Sequence, residues 1–195
     1  MTYKTSLQLF FNPSAFRNPS QDADSRPNAP IGLTYTGSNQ PLPTTIRFFL
    51  QVLRASLHAL PQSATKVSSL LRFVSSGWDT ALSVAESERR LAIEGLTDTR
   101  IVSDERLSVS SFILLPKLRT KVRVSFDVLA AIGEELALSE SVEVDAKVVY
   151  GEALNEKKLR EVLQGSVGGG VEGWDGAVRE VRQLLLSKGA NVVKR

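Results

Sequence analysis

A chain of 195 residues with 42% hydrophobic and 23% charged residues and a formal net charge of +3 is not globally disordered, because disorder requires low hydrophobicity together with a large net charge. No stretch reaches the roughly 18 to 20 uninterrupted apolar residues of a membrane span, and Met1 to Lys4 lead into no long apolar region of a signal peptide. The absence of cysteine removes disulfides, thiolate nucleophiles and thiolate metal sites, and a single histidine cannot build a common zinc site, so neither metal nor cofactor is expected and an intracellular location follows.

Charge is uneven along the chain. Up to Gly77, Lys4, Arg17, Arg26, Arg47, Arg54, Lys66 and Arg72 face only Asp22 and Asp24, whereas carboxylates outnumber cations beyond it. A basic N-terminal part fits an acidic peptide or a phosphate; a solvated surface that only favours solubility is the competing reading.

In chain order, Leu7 to Phe11 reads as a short strand closed by Asn12-Pro13. Phe16 to Pro30 is rich in Asn, Pro, Ser and Asp and reads as a long loop. Ile31 to Thr36 alternates as a second strand, with its turn at Gly37-Ser38-Asn39. Thr44-Thr45 can cap a helix carrying Ile46, Phe49, Leu50, Leu53, Leu57 and Leu60, which Pro61 ends.

A second helix starts at Ser63 or Thr65, carries Val67, Leu70, Leu71, Val74, Trp78, Ala81, Leu82, Ala85 and Leu91, and runs to about Glu94 and Gly95. At ~1.5 Å per residue it spans roughly 45 Å, enough to connect two modules. Phe73 and Trp78 are expected in the core between this helix and a sheet.

The period then changes to two. Arg100-Ile101-Val102 precedes the turn Ser103-Asp104-Glu105, and Leu107, Val109, Ser111 and Ile113 form one strand face. Leu118 to Val128 and Val142 to Tyr150 alternate likewise, and short turns between these runs favour an antiparallel meander. Asn155 can cap a helix with Leu159, Val162 and Leu163, ended by Gly165. A glycine-rich linker precedes a last amphipathic helix with Trp174, Val178, Val181 and Leu185, stopped near Gly189. The order from Ser63 is helix, four strands, helix, helix: an α+β architecture with helices covering one face of an antiparallel sheet.

Few constellations point to catalysis. Gly168-Gly169-Gly170-Val171-Glu172-Gly173 satisfies G-x-G-x-x-G, but a helix precedes it where a dinucleotide site needs a parallel strand, so a flexible inter-helix linker is the expectation. Asp104-Glu105 and Glu134-Glu135 read as solvated turn residues rather than acid-base pairs. Arg119, Lys121 and Arg123 line one strand face, with Glu143 and Asp145 expected as their cross-strand partners, which makes a charge-paired face rather than a phosphate track. On the first helix, Arg47, Gln51, Arg54 and His58 recur at i, i+4, i+7 and i+11 beside Phe48. Such a stripe can dock an acidic segment through charge and one aromatic anchor, against the alternative of a solvated helix back.

Thr45-Ile46-Arg47-Phe48-Phe49-Leu50, Leu60-Pro61-Gln62-Ser63-Ala64-Thr65-Lys66-Val67 and Val74-Ser75-Ser76-Gly77-Trp78 resemble the C-terminal region of the fungal kinetochore scaffold of the kinetochore-null (blinkin) family. So do Ile101-Val102-Ser103-Asp104-Glu105, Leu115-Pro116 through Arg119-Thr120-Lys121-Val122, and Lys147-Val148-Val149-Tyr150-Gly151-Glu152. The resemblance runs from about Ile31 to Gly189; the first strand and the Pro/Asn loop carry no motif of it, and the tyrosine-proline signature of generic RWD domains is absent.

The resemblance implies tandem RWD-like modules, residues 1–94 with the long helix at about 63–94 and residues 95–195, with only two strands readable before Thr44 in the first. It further implies a non-enzymatic docking role at the kinetochore of the nucleus. In that role these modules anchor a larger scaffold to the MIND complex through a subunit tail, and an adjacent coiled coil holds a Zwint-like partner. No membrane or cofactor enters this reading. A centromeric nucleic-acid-binding module that uses the basic N-terminal part is the alternative.

Overall fold

The computed structural model of the chain describes residues 2–3, 7–17, 28–37, 41–132, 138–151, 153–168 and 170–187. The chain divides into two compact units, Met1–Ala81 with Ala131–Ser139 and Leu82–Ala130 with Glu140–Arg195.

In the first unit, β1 (Thr2–Tyr3), β2 (Leu7–Phe10) and β3 (Gly32–Tyr35) form an antiparallel sheet in the order β1-β2-β3. The short strand expected over Leu7 to Phe11 is β2, with Leu7 and Leu9 buried and Phe10 exposed. The strand Thr2–Tyr3 had no readable period, because two residues cannot show one. The loop expectation for Phe16 to Pro30 and the turn at Ser38-Asn39 lie largely outside the described residues.

Helix α1 (Thr44–His58) begins one residue after Pro43, which stands at its N-cap with no side-chain hydrogen bond. Thr45 is buried inside the first turn, so the expected threonine cap is replaced by the fixed φ of proline. The helix buries most of its circumference, through Ile46, Phe48, Phe49, Leu50, Val52, Leu53 and Leu57.

Pro61 is followed by a 3-10 turn at Gln62–Ala64 rather than by a new helix, and α2 (Val67–Glu94) starts beyond it. Gln62 opens this turn. It is buried, accepts from the Ala29 N–H at 3.0 Å and donates to the Ala29 carbonyl at 2.6 Å, while its own N–H donates to Asn28 Oδ1 at 3.3 Å. These bonds fasten the strand leading into β3 to the end of α1. Helix α2 contributes Leu70, Phe73, Val74 and Trp78 to the first core, with Tyr35 of β3 at 5.8 Å from the Trp78 ring.

A second sheet holds β4 (Leu96–Ser103), β5 (Arg106–Leu115), β6 (Thr120–Ile132) and β7 (Leu138–Tyr150), antiparallel in the order β4-β5-β6-β7, and belongs to the second unit apart from the strand ends within 131–139. This is the meander expected from the period-two runs. Leu107, Val109 and Ile113 of β5 pair in register with Val128, Phe126 and Val122 of β6, and all six are fully buried. Gly151 takes the chain out of β7 at φ 106°, where a Cβ would lie 2.5 Å from the Arg119 carbonyl oxygen, so only glycine fits.

Helix α3 (Glu156–Val167) is capped by Asn155, whose side chain accepts from the Lys158 N–H. It runs past Gly165 and ends at Gly168, left-handed at φ 60°, whose N–H donates to the Gln164 carbonyl at 3.1 Å. Helix α4 (Trp174–Ser187) stacks Trp174 on Phe126 at 4.7 Å. The stop expected near Gly189 lies outside the described residues. Arg182 of α4 donates to the Glu94 carbonyl at the end of α2, at 2.8 Å, a favourable place for a cation.

Candidate binding groove

The exposed side of α1 is the stripe Arg47, Gln51, Arg54, Ala55 and His58, set by the helical period against the buried arc on the other side. Together with β3 it lines an open groove of about 810 Å³. Leu33, Leu50 and Leu57 supply apolar lining, with Ile31 and Leu42 beside them, and Arg47, Gln51, Arg54 and His58 supply the polar rim. Among the described residues no carboxylate lines it, and from 2 to 81 Asp79 is their single acidic side chain. The groove therefore carries positive charge over an aliphatic floor. Arg54 Nε donates to the Leu33 carbonyl at 2.9 Å, tying helix and strand across it.

Four of the five residues singled out in the sequence, Arg47, Gln51, Arg54 and His58, meet in this groove. Phe48 does not: it is fully buried, its ring edge-on to Phe49 at 5.2 Å. One residue from Arg47 is about 100° around a helix, which turns Phe48 into the core. The aromatic anchor is thus corrected to an aliphatic floor. Sequence reading missed Leu33, Leu42 and Ile31 as walls, and Gln62 as the strut that holds β3 in place.

Other constellations resolve differently. The segment from Gly170 to Gly173 is pinned rather than free: Ser87 Oγ donates to the Val171 carbonyl at 2.6 Å, and Trp174 Nε1 to the Gly170 carbonyl at 3.1 Å. The expected pairing of Arg119, Lys121 and Arg123 with Glu143 and Asp145 is replaced. Arg119 sits in a left-handed turn ahead of β6, Lys121 lies 4.1 Å over the Phe112 ring, Glu143 pairs with Arg106 at 3.2 Å and Asp145 pairs with Arg160. Asp104-Glu105 forms the β4–β5 turn, and Glu134-Glu135 lies outside the described residues. Among the described residues no helix is long and apolar enough to cross a membrane.

A family model described as the Knl1 RWD C-terminal domain matches residues 1–85. That span contains β1 to β3, α1, the groove and the motifs from Thr45 to Trp78; the resembling segments from Ile101 onward lie beyond it. No curated protein and no solved structure matches the chain.

Proposed function

We propose, for a chain that belongs over residues 1–85 to the Knl1 RWD C-terminal domain family, a docking role in which a kinetochore scaffold is anchored to the MIND complex by an acidic subunit tail held in the groove between α1 and β3. The observation that carries this reading is a cationic groove with apolar lining inside the matched span, with no carboxylate among the described residues that line it. Ile31 and Leu42, half-buried at its edge, would take apolar side chains of the tail, while Arg47, Arg54 and His58 steer its carboxylates and fix its register. No step of this role makes or breaks a covalent bond.

In this reading residues 1–94 and 95–195 serve as the RWD-like modules, the first carrying the groove and the second a four-stranded meander. A Zwint-like coiled-coil partner would engage the adjacent region of the longer scaffold. Attachment of this kind places the chain at the centromere during chromosome segregation, where it supports microtubule attachment and checkpoint signalling.

The test is co-elution of the purified chain with reconstituted MIND complex on a sizing column, repeated with each subunit tail deleted in turn. Loss of co-elution with one tail is the expected result, and co-elution that survives every deletion would contradict the reading. The surplus of cations in the first unit favours centromeric DNA as the second reading, which predicts duplex binding that weakens steeply with salt.

A further inference from the structure

Strand β3 is the outer strand of its sheet among the described residues. In an antiparallel pair the N–H and C=O of one residue point to the same side, and successive residues alternate sides. Arg54 reaches the Leu33 carbonyl from α1, which places the Leu33 amide and carbonyl on the edge away from β2. Tyr35, two residues on, shares that edge, and the pairs Gln8↔Thr34 and Phe10↔Gly32 are the ones that bond to β2. This edge is one wall of the groove and the α1 stripe is the other.

Proteins blunt an open sheet edge by keeping it short, charging it or covering it. Here the strand is four residues long and one cation, Arg54, covers one of its carbonyls. That cover is exchangeable. A backbone N–H from an incoming chain satisfies the Leu33 oxygen equally well, and the released guanidinium gains a carboxylate, a charge-assisted bond stronger than the one it gave up.

We propose that the occupant of the groove is an acidic segment of another protein bound in extended form, as a fourth strand on β3, with Arg54 transferring from the Leu33 carbonyl to an acidic side chain of that segment. The ligand side chains then alternate between the two faces of the extended sheet, and the acidic ones nearest α1 meet Arg47 and Arg54. The inference rests on the docking reading above and adds its mode, which makes Arg54 a positioning residue for the strand. A helical ligand in the same groove would instead place its anchors three and four residues apart.

The experiment uses synthetic peptides of the MIND subunit tails, titrated into the full chain, with the binding peptide then remade with each backbone nitrogen methylated in turn. Strand addition predicts a loss of affinity of about tenfold at alternate positions, together with slowed hydrogen exchange at the Leu33 and Tyr35 amides. A peptide that binds with a flat or helically spaced methylation profile and unchanged Leu33 exchange overturns the strand mode and leaves the docking reading intact. If no tail peptide binds, both fall. Protection of Leu33 that rises with chain concentration in the absence of peptide identifies a second copy as the occupant and also overturns the proposal.

Discussion

Replacing Gly77 with alanine sets two effects of known sign against each other. In a helix interior alanine is favoured over glycine by about 1 kcal/mol. At Gly77 of α2, however, a Cβ would stand 2.6 Å from Leu53 Cδ2 and 3.5 Å from its Cγ, and Leu53 is fully buried in α1. Moving a side chain with no free volume around it costs about 1 to 3 kcal/mol. The expected balance for G77A is a net loss of about 1 kcal/mol. Gly165 in α3 and Gly176 in α4 supply the control, since a Cβ at either meets nothing within 4 Å. G165A and G176A are expected to gain about 0.5 to 1 kcal/mol. Urea unfolding followed by far-UV circular dichroism reads all three, with a shifted midpoint at constant slope marking a stability change. A midpoint for G77A at or above that of the unaltered chain would refute the packing argument.

Gln62→Ala leaves the half-buried Ala29 N–H and carbonyl without their partner, so a loss of about 1 to 2 kcal/mol in urea unfolding and weaker tail binding are expected; a loss below ~0.5 kcal/mol would remove Gln62 as a strut. Trp174→Phe gives up a hydrogen bond to Gly170 and the matched stack on Phe126, whereas Trp78 Nε1 is buried with no partner among the described residues, so Trp78→Phe gives up no such bond. The first substitution should cost about 1 to 2 kcal/mol more than the second, and equal costs would contradict the account. Glu86 is held down to about 2 from its ordinary 4.5 by hydrogen bonds from Arg89 and then Arg90. A depressed carboxylate contributes fully above its ordinary value and loses that contribution as pH falls towards 2. Thermal melts of Glu86→Gln and the unaltered chain should therefore differ at neutral pH and converge near pH 2; a difference that persists there would sink the assignment.

Long, strongly periodic segments were legible in the sequence. The helices of residues 44–58 and 67–94 and the strands around Val109 and Val124 each repeat their period several times, so one local exception does not hide it. Thr2–Tyr3 offers too few residues for any period. Helix ends were misplaced where a side chain makes a distant bond, as Gln62 does with Ala29 across 33 residues, because spacing along the chain carries no sign of such a partner. The same reason explains the carboxylates of β7. Arg106 and Arg160 reach Glu143 and Asp145 through register and helix placement that alternation alone does not specify. For the groove, helical period was enough to align Arg47, Gln51, Arg54 and His58, while their apolar counterpart on β3 emerged only from tertiary packing. Phe48 was misjudged because adjacency to Arg47 in sequence is not adjacency on a helix face.

The most direct test of docking is the affinity of the chain for the MIND tail that supports co-elution, measured for the unaltered chain and for Arg47→Glu/Arg54→Glu by fluorescence anisotropy. Arg47 is exposed on α1 and Arg54 also bonds the Leu33 carbonyl, so the double variant is expected to lose about 1 kcal/mol in urea unfolding, stay folded, and bind at least about tenfold more weakly. Unchanged affinity in a folded double variant would remove this groove as the site and contradict the account.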